Sequence, residues 1–299
     1  MRHGPGLRSR TVERIHALNL CHYCGICLAA CPKDNIRRLD GPRQGFYFHV
    51  LDETVCGTCD LCLRICPGED LDLARLNEQV FGVAPADQRL GVYRRCYLAS
   101  ASDRDVRREG ASGGVVTALL TFCLAEGLID GALVVEDGKS SIREPNLYVA
   151  RSAGELRRGA SSRYYPVPLM EGLSQIASGG GRYAVVGLPC HVHGLRKYEA
   201  LRATLRERVA LRIGLFCGYS TDFASLDFLA SRAEFLLLLV PAGFAAFTKR
   251  PAARLAALSA ALFLLYGCFF RGRFDRGTED RYALAVLLPL AVASASALS

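Results

Sequence analysis

The chain has 299 residues, 51% of them hydrophobic, and a formal net charge of +8. That apolar share supplies a core and excludes a wholly disordered or collagen-like chain. The basic excess is a poor argument for nucleic acid: Trp is absent, no Lys/Arg stripe interleaves with aromatics, and half of the excess lies beyond Phe235. Thirteen cysteines suit a disulfide scaffold only in a short secreted chain. Met1 to Arg14 is polar and lacks the apolar stretch of a secretory signal. The cysteines are therefore expected in a reducing, cytoplasmic setting, with metal binding as the first hypothesis.

Four zones follow in chain order. Residues 1–19 form a polar leader, 20–85 hold two cysteine runs, 90–230 alternate strand-like and helix-like stretches, and 235–299 form an apolar tail.

The first run is Cys21-x2-Cys24-x2-Cys27-x3-Cys31-Pro32. The second is Cys56-x2-Cys59-x2-Cys62-x3-Cys66-Pro67. Both have the spacing of bacterial two-cluster ferredoxins, in which the fourth cysteine of each run serves the other cluster. Three cysteines two residues apart wrap one face of a cubane, and Gly25 and Gly57 allow the tight turns. The spacing thus predicts one 4Fe–4S cluster on Cys21, Cys24, Cys27 and Cys66, and another on Cys56, Cys59, Cys62 and Cys31. Zinc usually takes cysteines as separated pairs, which fits these triples poorly. His22 and Tyr23 are expected to pack over the first cluster. The module reads as an α+β, ferredoxin-like fold.

In the third zone, Gly110 to Gly127 reads as a Gly-rich turn and a helix that starts near Val115. Leu128–Val135 reads as a buried strand, Tyr183–Gly187 as a second, Leu195–Val209 as a basic amphipathic helix, and Leu211–Cys217 as a third strand. Strands alternating with helices predict an α/β layer with at least a partly parallel sheet. Ser112-Gly113-Gly114 at a helix start offers free amides to a phosphate, or is a capping turn with Ser112 as the N-cap. Ser161, Ser162 and Arg163 could hold a pyrophosphate or form an ordinary exposed loop. His191 is a candidate for proton transfer. Cys190 and Cys217 end apolar strands, where α/β folds place sites, but buried structural cysteine explains them as simply.

The tail contains three uncharged apolar runs, Phe235–Phe247, Leu255–Phe270 and Tyr282–Ser299. Each is short of the about 20 residues of a membrane span. They read as apolar helices, either transmembrane or buried in a globular domain. The cations Lys249, Arg250 and Arg254 would fall outside if the first run spanned, against the positive-inside tendency.

The ordered motifs of the third zone resemble the coenzyme F420 hydrogenase/dehydrogenase beta subunit family of iron–sulfur flavoproteins. The matching stretches are Gly110–Leu120, Glu126–Val135, Ala160–Val167, Val186–His191 with Gly194–Arg196, and Ile213–Cys217. With the cysteine runs, the resemblance covers residues 18–230, the α/β part matching the family's N-terminal portion only. It implies FAD, placed by Ser112–Gly114 and Ser161–Arg163, and electron exchange between clusters and flavin. It implies a redox partner or hydrogenase/dehydrogenase subunit as partner, and coenzyme F420 or another small molecule as acceptor. Cys190 and Cys217 resemble two ligands of a further cluster whose remaining Cys-x-x-Cys is missing here. The alternative is a non-catalytic ferredoxin-type carrier with a truncated flavin domain, tethered to a membrane by the tail.

Overall fold

The computed structural model describes residues 10–40, 46–56, 59–85, 91–139 and 141–231. The chain divides into two units, residues 1–226 and 227–299, and the elements around the candidate site all belong to the first. The three apolar runs of the tail, like Gly57, lie outside the described residues. Among the described residues no helix is long and apolar enough to cross a membrane.

The N-terminal part is built from short pieces. Helix α1 (Val12–Ala17) is capped by Thr11, whose hydroxyl accepts from the Glu13 amide. Helix α2 (Ile26–Ala30) follows, then the antiparallel strands β1 (Arg37–Asp40) and β2 (Tyr47–Val50). Helices α3 (Glu53–Cys56), α4 (Leu61–Arg64) and α5 (Leu73–Phe81) complete it. Helices this brief cannot stand alone, since a helix gains stability mainly from packing a face. Here Ile26, Ala30 and Ile65 are buried in the main core.

After α6 (Arg104–Glu109) comes α7 (Val115–Ala125), then β3 (Gly131–Glu136), β4 (Asn146–Ala150) and α8 (Ala153–Arg158). A 3-10 turn at Leu169–Gly172 leads into α9 (Leu173–Ser178), β5 (Tyr183–Gly187), α10 (Pro189–Leu201), α11 (Ala203–Arg208), β6 (Val209–Gly214) and α12 (Phe223–Ser231). The sheet order is β4-β3-β5-β6, with β3, β5 and β6 parallel and β4 antiparallel at the edge.

Strands β3 and β5 alternate their side chains between two cores, as the two-residue period of a strand requires. Leu133 and Val185 point into a core shared with Ile26, Ile65, Met170 and Leu195. Ala132 and Ala184 point into a second, built with Leu120, Cys123 and Leu156. The cysteine module therefore packs on one face of the sheet and α7 with α8 on the other.

Several boundaries differ from the sequence reading for identifiable reasons. The first strand starts at Gly131 because Gly127, at φ +64°, turns the chain, and the amides of Leu128 and Ile129 close back onto the Cys123 carbonyl. The expected helix over 195–209 starts six residues early at Pro189, whose fixed φ suits a first helical position. It breaks at Arg202, which is extended at φ −135°. Strand β6 accordingly begins at Val209 and ends at Gly214, short of Cys217.

Candidate functional site

The first cysteine set converges. Cys21, Cys24, Cys27 and Cys66 line one pocket, together with Val12, Ile15, His22 and Ile26. The crossed assignment read from the spacing, three cysteines of one run with the fourth of the other, matches this lining. Local backbone geometry explains how the loop reaches it. Tyr23 sits in the left-handed region at φ +56°, and its amide donates to Cys21 Sγ at 3.4 Å. Gly25 follows at φ +82°, and a Cβ there would stand 2.6 Å from the Pro168 carbonyl oxygen. Only glycine meets both demands. The Met170 amide donates to the Cys24 carbonyl at 3.0 Å, so the loop is pinned to the segment ahead of α9.

The second set sits in a more polar setting. Cys31, Cys56, Cys59 and Cys62 are all half-buried, whereas Cys24, Cys27 and Cys66 are buried. Asn35 ties the two runs together: its amide donates to Cys31 Sγ at 3.3 Å, and its side-chain Nδ2 donates to Cys56 Sγ at 3.3 Å. Asp34, just before it, is left-handed at φ +49°, which turns the following amide toward the sulfur.

Burial governs the thiols. It pushes Cys21 up to about 12 and Cys62 up to about 11. It also raises Cys24 and Cys27 well above the usual range, and neighbouring thiols add to the effect. Thiolates so placed need a cationic centre to offset desolvation. Among the described residues no group of three or more His, Cys, Asp or Glu converges closely enough to chelate a single ion. Ligands of a cubane each bind a different iron and stand further apart than four ligands on one metal. Four thiols on one lining, with amide-to-sulfur bonds beside them, are the kind of donor set that a cubane takes.

His22 lines the first pocket, as expected. Tyr23 instead stacks on Phe46, ring centroids 4.8 Å apart. Two residues beside the cysteines escape a reading of the sequence. Lys197, on α10, donates from Nζ to the carbonyls of Cys66 at 2.7 Å and Asp70 at 2.5 Å. Asn35 is the other. Neither carries a sequence signal beyond its place near a motif.

The remaining candidates gather at the carboxyl ends of the parallel strands. The Leu215 amide, just past β6, bonds the Gly187 carbonyl at the end of β5. Cys190 occupies the second position of α10 and packs against the core that contains Cys24. Its thiol is pushed up to about 11, chiefly by burial, and Cys217 lies close enough to contribute.

His191 is buried, with both ring nitrogens engaged. Nδ1 accepts from the Leu188 amide at 3.0 Å, and Nε2 stands 3.0 Å from the Val167 carbonyl. A carbonyl can only accept, so Nε2 carries the proton. Burial pushes the imidazole down to about 4. The ring is thus a neutral clamp between α10 and the segment 167–170 that holds the Cys24 loop.

Arg163 is similarly committed. Its Nε donates to Asp137 at 2.9 Å, and its Nη1 faces the carbonyls of Gly159, Ala160 and Ser161. Tyr165 donates to the same Asp137 carboxylate. Ser161 adopts φ +75°, so the loop is tightly wound, and Ser161 and Ser162 are exposed on it.

At the Gly-rich turn, the N-cap of α7 is Gly114, not Ser112, and no side chain caps the helix. Gly114 lies at φ +71°, and a Cβ would fall 2.4 Å from the Val106 carbonyl oxygen. The first amides of α7 therefore remain open to an anion. Ion pairs Arg157–Glu109 and Arg158–Glu136 place this turn on the side of the sheet where β3 ends.

Residues 96–174 match the family described as coenzyme F420 hydrogenase/dehydrogenase, beta subunit N-term, and residues 180–236 match the C terminus of the same beta subunit. The coenzyme F420 hydrogenase subunit beta of Methanothermobacter thermautotrophicus is 30% identical over 143 residues, 46% of this chain and 50% of that protein. The protein of the same description from Methanosarcina barkeri is 30% identical over 146 residues, 47% of this chain and 50% of the relative. A chain of the F420-reducing NiFe hydrogenase complex of Methanosarcina barkeri overlays with a TM-score of 0.41 at 26% identity, covering 44% of this chain and 47% of that one. The chain spans about half the length of these relatives. Residues 96–174 and 180–236 thus belong to the coenzyme F420 hydrogenase/dehydrogenase beta subunit family, matching its N-terminal and C-terminal parts in turn rather than the N-terminal portion alone.

Proposed function

We propose that this chain is an electron-transferring subunit of an F420-dependent oxidoreductase, carrying two 4Fe–4S clusters and FAD. The observation that carries the reading is the pocket lined by Cys21, Cys24, Cys27 and Cys66. Three of these come from one run and one from the other, as the two-cluster pattern requires. Asn35, bonded to Cys31 and Cys56, supports the complementary set with Cys59 and Cys62. Such clusters supply one-electron transfer, and a flavin supplies the conversion to two-electron hydride chemistry.

The protein's own groups then divide the work. Apolar Val12, Ile15 and Ile26 exclude water around the first set. The open amides at Gly114–Thr117 and the exposed Ser161–Ser162 loop are the groups available to FAD phosphates. Arg163 would shape that loop through Asp137 rather than meet the phosphate itself. His191 would hold the loop of the first set and take no part in proton transfer. The first set lies against the α/β layer and the second is more exposed, so electrons would pass between a partner subunit and the flavin region through the second set and then the first.

A second reading, a carrier without flavin turnover, is favoured by one observation: His191 and Arg163, two of the candidates for flavin chemistry, spend their hydrogen bonds on their own chain. Iron, acid-labile sulfide and flavin per chain on anaerobically purified full-length protein test both. About eight iron with one flavin supports the oxidoreductase. The same iron with no flavin, and no affinity for added FAD, supports the carrier. Protein without iron refutes both.

A further inference from the structure

Asn35 stands out among residues that the proposed function leaves without a role. It makes two N–H to sulfur bonds to two different cysteines, Cys31 through its backbone and Cys56 through its side chain, each at 3.3 Å. The orientation of the side-chain amide follows from its other partners. Oδ1 accepts from the Asp52 amide at 3.3 Å, and Nδ2 donates to the Asp52 carbonyl at 2.8 Å. Rotating the amide would set acceptor against acceptor and donor against donor, so the donor must face Cys56. Lys33, two residues earlier, donates to the Val55 carbonyl beside Cys56. At the first set the comparable donor is a backbone group, the Tyr23 amide to Cys21.

We propose that Asn35 is a positioning residue that sets the reduction potential of the cluster on Cys31, Cys56, Cys59 and Cys62, holding it above the value it would have without that side chain. The inference rests on the two-cluster reading above. The physics is general. Reduction adds negative charge that spreads onto the cysteine sulfurs, and an N–H dipole aimed at a sulfur stabilises that charge.

The test is a redox titration of the full-length protein followed by EPR, on the wild type, Asn35→Leu and Asn35→Asp. Iron per chain is measured on the same samples. Asn35→Leu keeps the approximate volume and removes the donor. Asn35→Asp keeps the acceptor for the Asp52 amide and places negative charge beside Cys56. The expected result is unchanged iron, one of the two potentials lowered in Asn35→Leu and lowered further in Asn35→Asp, and the other unmoved. Unchanged potentials at full iron content would overturn the proposal. So would loss of about half the iron from both variants, since Asn35 would then hold the site together rather than tune it. A wild type without iron would instead refute the underlying two-cluster reading.

Discussion

The two cysteine sets share one spacing and have different surroundings. In the first, Cys24 is buried in the core that also holds Leu133 and Val185 of the sheet, while Cys27 and Cys66 are buried in two smaller clusters and Cys21 is half-buried. Its loop is pinned by Met170 and by the Cβ-free approach of Gly25 to Pro168. The second is half-buried and is bordered by polar groups, Asn35 and Asp52, on its own module. Spacing therefore groups the cysteines, while packing decides what each group touches. A loop that shares the core of another layer cannot move without it. A loop held by local hydrogen bonds can be altered alone.

The comparison can be broken most forcefully at Gly25. Gly25→Ala combines left-handed strain with a clash on backbone, since the new Cβ would lie 2.6 Å from the Pro168 oxygen at φ +82°. The cost should be about 3 kcal/mol, read by urea denaturation. Iron should fall by about half while the second set stays loaded. Equal loss from both sets would mean that the two are not independently held.

Acid gives the next largest effect. His191 has a folded-state value of about 4 against an ordinary 6.5. The unfolded chain takes up the proton first, so the contribution is complete above pH 6.5 and is lost as pH falls toward 4. The loss should be roughly 3 kcal/mol, since each tenfold change in proton affinity is worth about 1.4 kcal/mol. His191→Gln should flatten stability across that window. Because His191 clamps the segment that pins Cys24, the wild type should lose iron from the first set before the second.

Lys197→Met should cost about 1.5–3 kcal/mol, the range for a hydrogen bond from a charged donor. It removes the α10 contacts to Cys66 and Asp70 and should disturb the EPR signal of the first set alone. The smallest effect is expected for Gly82→Ala, at the end of α5. Its φ is +70°, but no atom lies within 4 Å of the added Cβ. About 1 kcal/mol and an unchanged iron count should result. Comparison with Gly25→Ala would then separate strain from the close approach.

Much of this molecule is legible in its sequence. The crossed grouping of Cys21, Cys24, Cys27 and Cys66 can be read from the spacing, because in the two-cluster pattern the fourth cysteine of each run goes with the other three. Helix α7 and strand β5 are where their apolar patterns put them. Strand β4 carries no such signal, since an exposed edge strand of mixed composition lacks a strong period. The two halves of the expected 195–209 helix cannot be separated either, because the break at Arg202 has no glycine or proline to announce it.

The roles of single polar residues are the least legible. His191 beside a strand end suggests chemistry, but its ring is consumed by Leu188 and Val167, which lie 3 and 24 residues away in sequence. Arg163 suggests an anion partner, but Asp137 takes that place 26 residues upstream. By itself, then, the sequence carried the grouping of the cysteines in its spacing, the α/β layer in its periodicity and the family likeness in its ordered motifs. Only the tertiary structure decided that Cys24 is buried in the sheet's core, that Lys197 and Asn35 stand beside the cysteines, and that His191 is a clamp. Those depend on partners brought from distant segments, and a side chain's role is set by the donors and acceptors that packing leaves within its reach.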